Sequence, residues 1–160
     1  MLFAAVALGW LLLDQLSKSW AVRNLTDRNI SAVWTLRFNL AYNSGASFSM
    51  GGGYGRWIAL VALVIVGLIV WQARNVTSRL TVVAMGMIVG GALGNVLDRA
   101  FRSGGGGILS GSVVDFIDFQ WWPVFNVADM GVVLGAVLLV VASFLPVPAD
   151  DDLIDDGTGS

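Results

Sequence analysis

Residues 80–99 read LTVVAMGMIVGGALGNVLDR. Eighteen positions pass without a charged side chain, and then Asp98 and Arg99 stand side by side. A helix needs ~20 residues to cross a ~30 Å hydrocarbon core, so this stretch predicts a membrane span over about 80–98 with a polar foot. Asn95 and Arg99 are four apart and share a helical face. Outward from it, three more apolar runs appear, over about 2–22, 57–73 and 124–145. The first is interrupted by Asp14 and Lys18. The expected fold is therefore an all-α membrane protein with four transmembrane helices.

Composition agrees. Of 160 residues, 56% are hydrophobic and 12% charged, against about 25% charged in a soluble domain. Mean hydropathy is +0.77. A soluble chain this short could not bury so much apolar surface. With no cysteine, disulfides, thiolate nucleophiles and Cys-based metal sites are excluded. With no histidine, a Ser–His–Asp triad is excluded, and every acid is Asp. The net charge of −2 and the lack of a basic run argue against a nucleic-acid partner. The first run has no basic leader and carries an Asp and a Lys, so it is expected to stay as a span rather than be removed as a signal peptide. Residues 1–146 are read as one membrane domain, and 147–160 as a disordered acidic tail. Between the first two spans, 34–42 alternates in places and predicts a short strand or hairpin.

Four helices joined by short links alternate in direction, which gathers the polar residues at one end of the bundle. Asp14, Lys18, Asn43, Asn95, Asp98, Arg99, Asp115, Asp118, Asn126 and Asp129 all fall in or near the same leaflet. Such groups are costly in lipid, at ~2.5–3.5 kcal/mol each for ionised residues at a helix centre, so they face the protein interior or water. Asp14 and Lys18 are i, i+4 and read equally well as a structural ion pair or as part of a site. Asn95 and Asn126 read as interhelical hydrogen-bonding groups, and Arg102 as an anchor reaching the headgroups.

Asp115 and Asp129 are acids set among apolar residues, fourteen positions apart. Two carboxylates at close range share a proton. One then serves as general base on a water while the other polarises a carbonyl. The plainer reading has Asp129 in the first turn of a helix, favoured by the dipole, and Asp115 and Asp118 facing water. Spacing alone leaves both open. A Ser17–Lys18 dyad is disfavoured, because neighbours on a helix point apart and Asp14 neutralises the lysine. Asp98, Asp115, Asp118 and Asp129 match no metal-binding spacing.

Five stretches stand in order along the chain: Asp14-Gln15-Leu16-Ser17-Lys18, residues 39–49 (NLAYNSGASFS), residues 90–99 (GGALGNVLDR), Val113-Val114-Asp115-Phe116 and Phe125-Asn126-Val127-Ala128-Asp129. Together they resemble the signal peptidase II family of bacterial membrane aspartyl proteases, the lipoprotein signal peptidases. The resemblance implies that Asp115 and Asp129 are the catalytic pair. It implies supporting roles for Asp14, Lys18, Asn43, Gly45, Asn95, Asp98, Arg99 and Asn126, with no metal and no cofactor. It favours Asp115 over Asp118. It implies a small extracytoplasmic β-sheet, formed by the long segment after the first span, lying on the membrane as a platform. The substrate implied is a prolipoprotein whose cysteine already carries diacylglycerol, cut just before that cysteine by a monomeric enzyme surrounded by membrane lipid. Globomycin-type peptides inhibit the family.

The resemblance also implies a bacterial cytoplasmic membrane location, with both termini cytoplasmic and the site outside. The raw arginine count runs the other way. Arg74 and Arg79 lie on the implied cytoplasmic side, against Arg23, Arg28, Arg37, Arg56, Arg99 and Arg102 opposite. Two other functions compete: a proton or ion carrier, since intramembrane acids often mark such pathways, and a non-catalytic membrane scaffold or lipid-binding module.

Overall fold

A computed structural model describes residues 1–45, 54–103 and 107–145. The acidic tail and the 46–49 part of the second motif lie outside the described residues. The elements run α1 (Leu2–Leu25), β1 (Ile30–Val33), β2 (Leu36–Asn43), α2 (Gly55–Ala73), α3 (Arg79–Phe101), β3 (Val113–Asp118) and α4 (Val127–Ser143). The four helices stand where four apolar runs predict them. Of these, α2 and α3 are long and apolar enough to cross a membrane. In α1 the charges of Asp14, Lys18 and Arg23 interrupt the run, and α4 has 17 residues.

The helix α3 is central and packs against α1, α2 and α4. Glycines set how closely it does so. A Cβ on Gly90 would strike the Ala7 carbonyl of α1, and one on Gly91 would strike the Ala128 carbonyl of α4. Small residues of this kind let helix backbones approach where lipid gives no hydrophobic drive. Gly91→Ala is expected to lower stability by about 1–3 kcal/mol, because the clash is with backbone rather than a movable side chain. A thermal melt in detergent checks it.

Polarity across the bundle is inverted relative to a soluble protein. Asp14 and Lys18 of α1 are 0% exposed, while Leu8, Leu12 and Leu16 of the same helix are largely exposed. Val61, Val64 and Leu68 of α2 and Val133 and Val137 of α4 also face outward. Apolar surface this extensive is stable only against an apolar solvent or a partner.

The three strands form one antiparallel sheet in the order β1-β2-β3. The predicted hairpin is present, turning at Trp34 and Thr35 with Trp34 at φ 54°. The sheet differs from expectation in its third strand. It comes not from the long segment but from between α3 and α4. Val113–Asp118 pairs with β2 at Arg37↔Asp118, Ala41↔Asp115 and Asn43↔Val113. Both its faces are covered, so no alternation of polar and apolar residues marks it as a strand. Phe38 and Phe116 pack beneath Trp20 of α1, closing a small core with Ala21, Leu25 and Val114.

The fourth helix starts at Val127 rather than at 124, because Phe125 is held in a bridge to Ile117 and Asn126 takes the capping position. That shift places Asp129 in the first turn.

Candidate functional site

Asp14 and Lys18 lie one turn apart on the buried face of α1. The Lys18 ammonium donates to Asp14 Oδ2 at 2.9 Å, Asp98 Oδ2 at 3.1 Å and Asn95 Oδ1 at 2.9 Å. An ammonium has three protons, so the lysine is saturated. Ser17 donates instead to the Asp14 carbonyl at 2.8 Å, so Ser17 and Lys18 form no dyad.

Both carboxylates in turn hold backbone. Asp14 Oδ1 accepts the Ala128 N–H at 2.8 Å, and Asp98 Oδ2 accepts the Val114 N–H at 3.1 Å. Arg102 Nε donates to Asp98 Oδ1 at 2.7 Å. The expectation for Arg102 as a headgroup anchor is thereby corrected, since its i, i+4 neighbour on the helix captures it. Gln15, a residue that spacing did not single out, donates to Asp14 and to the Gly94 carbonyl, both at 3.1 Å.

The second layer centres on Asn126. Its side chain accepts the Asp129 N–H at 3.0 Å while Asp129 Oδ2 accepts the Asn126 N–H at 3.1 Å, a reciprocal capping box. The Asn126 amide donates to Asp115 Oδ1 at 2.6 Å and to Asn95 Oδ1 at 3.2 Å. Asn95 donates to Asp129 Oδ1 at 2.8 Å. Asn43, at the end of β2, donates to Asp115 Oδ2 at 3.1 Å. Its own oxygen accepts from the N–H of Gly45, whose φ of 91° suits only glycine comfortably. Asp115 and Asp129 are thus each one hydrogen bond from the same residue.

Asp118 goes elsewhere. Arg37 Nε reaches its Oδ2 at 2.6 Å, as the strand register dictates, and the Gln120 N–H reaches Oδ1 at 2.7 Å. Burial acts to raise its pKa, but the hydrogen bonds from Arg37, Gln120 and Asn39 outweigh it and hold the carboxyl below the usual range. The four acids weighed as a metal set do not converge: Asp98 faces Lys18 and Arg102, and Asp118 faces Arg37.

Asp115 is 3% exposed. Burial, and then the charge of Asp129, push its pKa from 3.8 up to about 6, against the opposing hydrogen bonds of Asn43 and Asn126. Folded Asp115 therefore holds its proton more tightly than the unfolded chain does. Its contribution to stability is full below pH 3.8 and is lost as pH rises through about 6. At ~1.4 kcal/mol for each pH unit, the loss is about 3 kcal/mol. Unfolding followed from pH 4 to 8 is expected to reveal it, and Asp115→Asn to remove it.

Two cavities meet the pair. One, of about 310 Å³, is lined by Ile58 and Ala59 of α2, Asn95 and Arg99 of α3, and Asp129 and Val132 of α4. The other, of about 370 Å³, is lined by Tyr42, Asn43, Asp115 and Pro123. Arg99 is 6% exposed and, among the described residues, donates only to the Gly111 carbonyl at 3.4 Å. An apolar slot thus opens on one carboxyl and a more polar one on the other. Trp10, a second contributor without a sequence signal, donates to the Val127 carbonyl at 2.9 Å and steadies the start of α4.

Comparison with known proteins follows the same line. Residues 6–145 match the family model described as Signal peptidase (SPase) II. The chain is 47% identical over 144 residues to a lipoprotein signal peptidase of Mycolicibacterium smegmatis, covering 89% of this chain and 60% of that one. It is 44% identical to the protein of the same name from Mycobacterium leprae and 46% to that from Mycobacterium avium, over 144 residues each. Both matches cover 89% of this chain, with 71% and 78% of those proteins. The chain thus spans only about three fifths of the M. smegmatis relative. Two solved structures described as bacterial membrane enzymes share the fold. Their TM-scores are 0.75 and 0.72 at 23% and 24% identity, covering 91% and 88% of this chain and 94% and 86% of theirs.

Proposed function

Since the chain belongs to the signal peptidase II family, we propose that it removes the signal peptide from diacylglyceryl-modified prolipoproteins, by water attack just before the lipidated cysteine. The observation that carries this reading is the Asn126 bridge, which holds together one carboxyl that lines an apolar cavity and another that lines a more polar one.

In the reaction, Asp129 takes a proton from a water as its oxygen bonds to the scissile carbonyl carbon. Asp115, protonated, gives its proton to the carbonyl oxygen. The tetrahedral adduct collapses as the C–N bond breaks, and the pair returns a proton to the leaving amine. The products are a free amine on the lipidated cysteine and a new carboxyl on the signal peptide. The raised pKa of Asp115 supports its role as the acid. Asn95 and Asn126 hold the carboxyls in place, and the sparsely bonded Arg99 orients the amide from inside the apolar cavity. That cavity, between α2 and α4, takes acyl chain or signal-peptide side chains.

In this reading α1 and α4 span the membrane beside α2 and α3. The outward leucines of α1 support it, since lipid is the solvent they suit. An even number of spans puts both termini on one side, the cytoplasmic one, with sheet and site outside. The reversed arginine count loses weight because Arg37 and Arg102 are paired with Asp118 and Asp98. A carrier fits less well, since the buried charges cluster at one end of the bundle.

The test is purified protein in detergent, given a precursor with and without its diacylglyceryl group. Cleavage of the lipidated form alone, blocked by globomycin, is expected. Equal cleavage of both forms, or of neither, contradicts the proposal.

A further inference from the structure

The buried ion cluster of α1 is tied to both carboxyl-bearing segments at equivalent points. Asp14 accepts the N–H of Ala128, the residue before Asp129. Asp98 accepts the N–H of Val114, the residue before Asp115. Lys18 lies between the two carboxylates, 2.9 Å from Asp14 and 3.1 Å from Asp98. A continuous path therefore runs from the start of α4, through α1 and α3, to β3. No other polar path of this kind is needed to bury a lysine, for which one carboxylate and two carbonyls would suffice.

The third proton of Lys18 adds a second constraint. It goes to Asn95 Oδ1, which also accepts from Asn126. With both donors on its oxygen, the Asn95 amide can face Asp129 only through nitrogen, and it does so at 2.8 Å. Lys18 thereby fixes which way that amide points.

We propose that Asp14, Lys18 and Asp98 form a positioning yoke that sets the separation of Asp115 and Asp129, with Lys18 also fixing the Asn95 amide toward Asp129. The proposal rests on the Asp-pair reading above and names how the pair is spaced. All three are buried and none lines either cavity. They act through the backbone N–H groups of Ala128 and Val114. The yoke also explains why the cluster carries two acids on one lysine. One acid would hold one segment, leaving the separation to the Asn126 side chain and the Ile117–Phe125 bridge alone.

The variant to make is Asp98→Ala. It leaves Lys18 paired with Asp14 and lets Arg102, which is partly exposed, turn to water. Val114 loses its acceptor, and β3 moves relative to α4. A displacement on the order of 1 Å costs ~100-fold in kcat, while KM for the lipidated precursor stays within about threefold because both cavities are untouched. Asp98→Asn keeps an oxygen for Val114 and recovers most of that loss. The pH profile separates positioning from mere instability. Asp115 is faced by Asp129 from α4, Lys18 from α1, Arg99 from α3 and the amides of Asn43 and Asn126. Moving it away from Asp129 weakens their repulsion, so the alkaline limb of kcat, where Asp115 must keep its proton, shifts to lower pH in Asp98→Ala and not in Asp98→Asn.

Amide hydrogen exchange gives a readout that does not depend on activity. In Asp98→Ala the Val114 amide is expected to exchange at least ~10-fold faster with Ala128 unchanged, and Asp14→Ala to do the reverse. Protected amides in both variants overturn the yoke. So does a kcat equal to wild type, or an Asp98→Asn variant no better than Asp98→Ala. If the wild-type chain leaves the lipidated precursor uncut, the functional reading fails, while the exchange data still decide whether the yoke holds the two segments.

Discussion

Asp115→Asn and Asp129→Asn are each expected to cut the cleavage of a diacylglyceryl-modified precursor by at least ~10³-fold, and to part company in stability. General acid–base groups contribute ~10²–10⁴-fold apiece, and a pair that shares one proton fails as a unit. An amide in either place can neither accept the proton of water nor supply one to the carbonyl. Stability tells the two variants apart. Ionised Asp115 is buried beside another carboxyl, so its replacement relieves a cost and leaves the melting temperature at pH 8 equal or higher. Asp129 is half of the capping box on α4, so its replacement weakens a cap and costs roughly 0.5–1 kcal/mol. Rates in detergent micelles and thermal melts of the same preparations check both halves. Retained cleavage in either variant removes the carboxyl pair from the mechanism.

Lys18→Met is expected to be the most damaging single change to the fold. It leaves Asp14, fully buried, without a counter-ion, and Asp98 with Arg102 alone. Removing one partner of a buried ion pair costs ~3–5 kcal/mol. For a chain of this size that lowers the melting temperature by about 10 °C or more. Adding Asp14→Asn removes the stranded charge and recovers part of the loss, which a size change alone would not allow. Tryptophan fluorescence of the seven tryptophans follows the unfolding. A Lys18→Met variant that melts with the wild type contradicts the saturated ammonium as the centre of the bundle.

Much of this is legible in the sequence. The apolar runs gave four helices because, in a membrane protein, hydropathy is the dominant signal and length is set by the solvent. The polar residues converged by parity of direction alone. The rest depended on contacts that spacing does not encode. Strand β3 carries no alternation because both its faces are buried, with β2 and Phe125 bonded along its edges, so periodicity does not mark Val113–Asp118 as a strand. Spacing alone does not choose between Asp115 and Asp118, though the resemblance favours Asp115; the strand register puts Arg37 opposite Asp118 and leaves Asp115 to Asn43 and Asn126. Arg102 was within helical reach of Asp98 from the start, yet a charge at the end of a span reads as an anchor unless its partner is known to be buried. Asn126 reads from sequence as an interhelical hydrogen-bonding group. Its part in joining Asp129 to Asp115 depends on the pairing of Phe125 with Ile117, which spacing does not encode.

The most direct measurement is mass spectrometry of the products formed when purified chain meets a diacylglyceryl-modified precursor, run beside the Asp115→Asn/Asp129→Asn double variant. The account predicts that the wild-type chain yields two fragments, an intact signal peptide and a protein whose first residue is the lipid-bearing cysteine, and that the double variant yields none. An uncut precursor with the wild-type chain, or the same two fragments with the double variant, would contradict it.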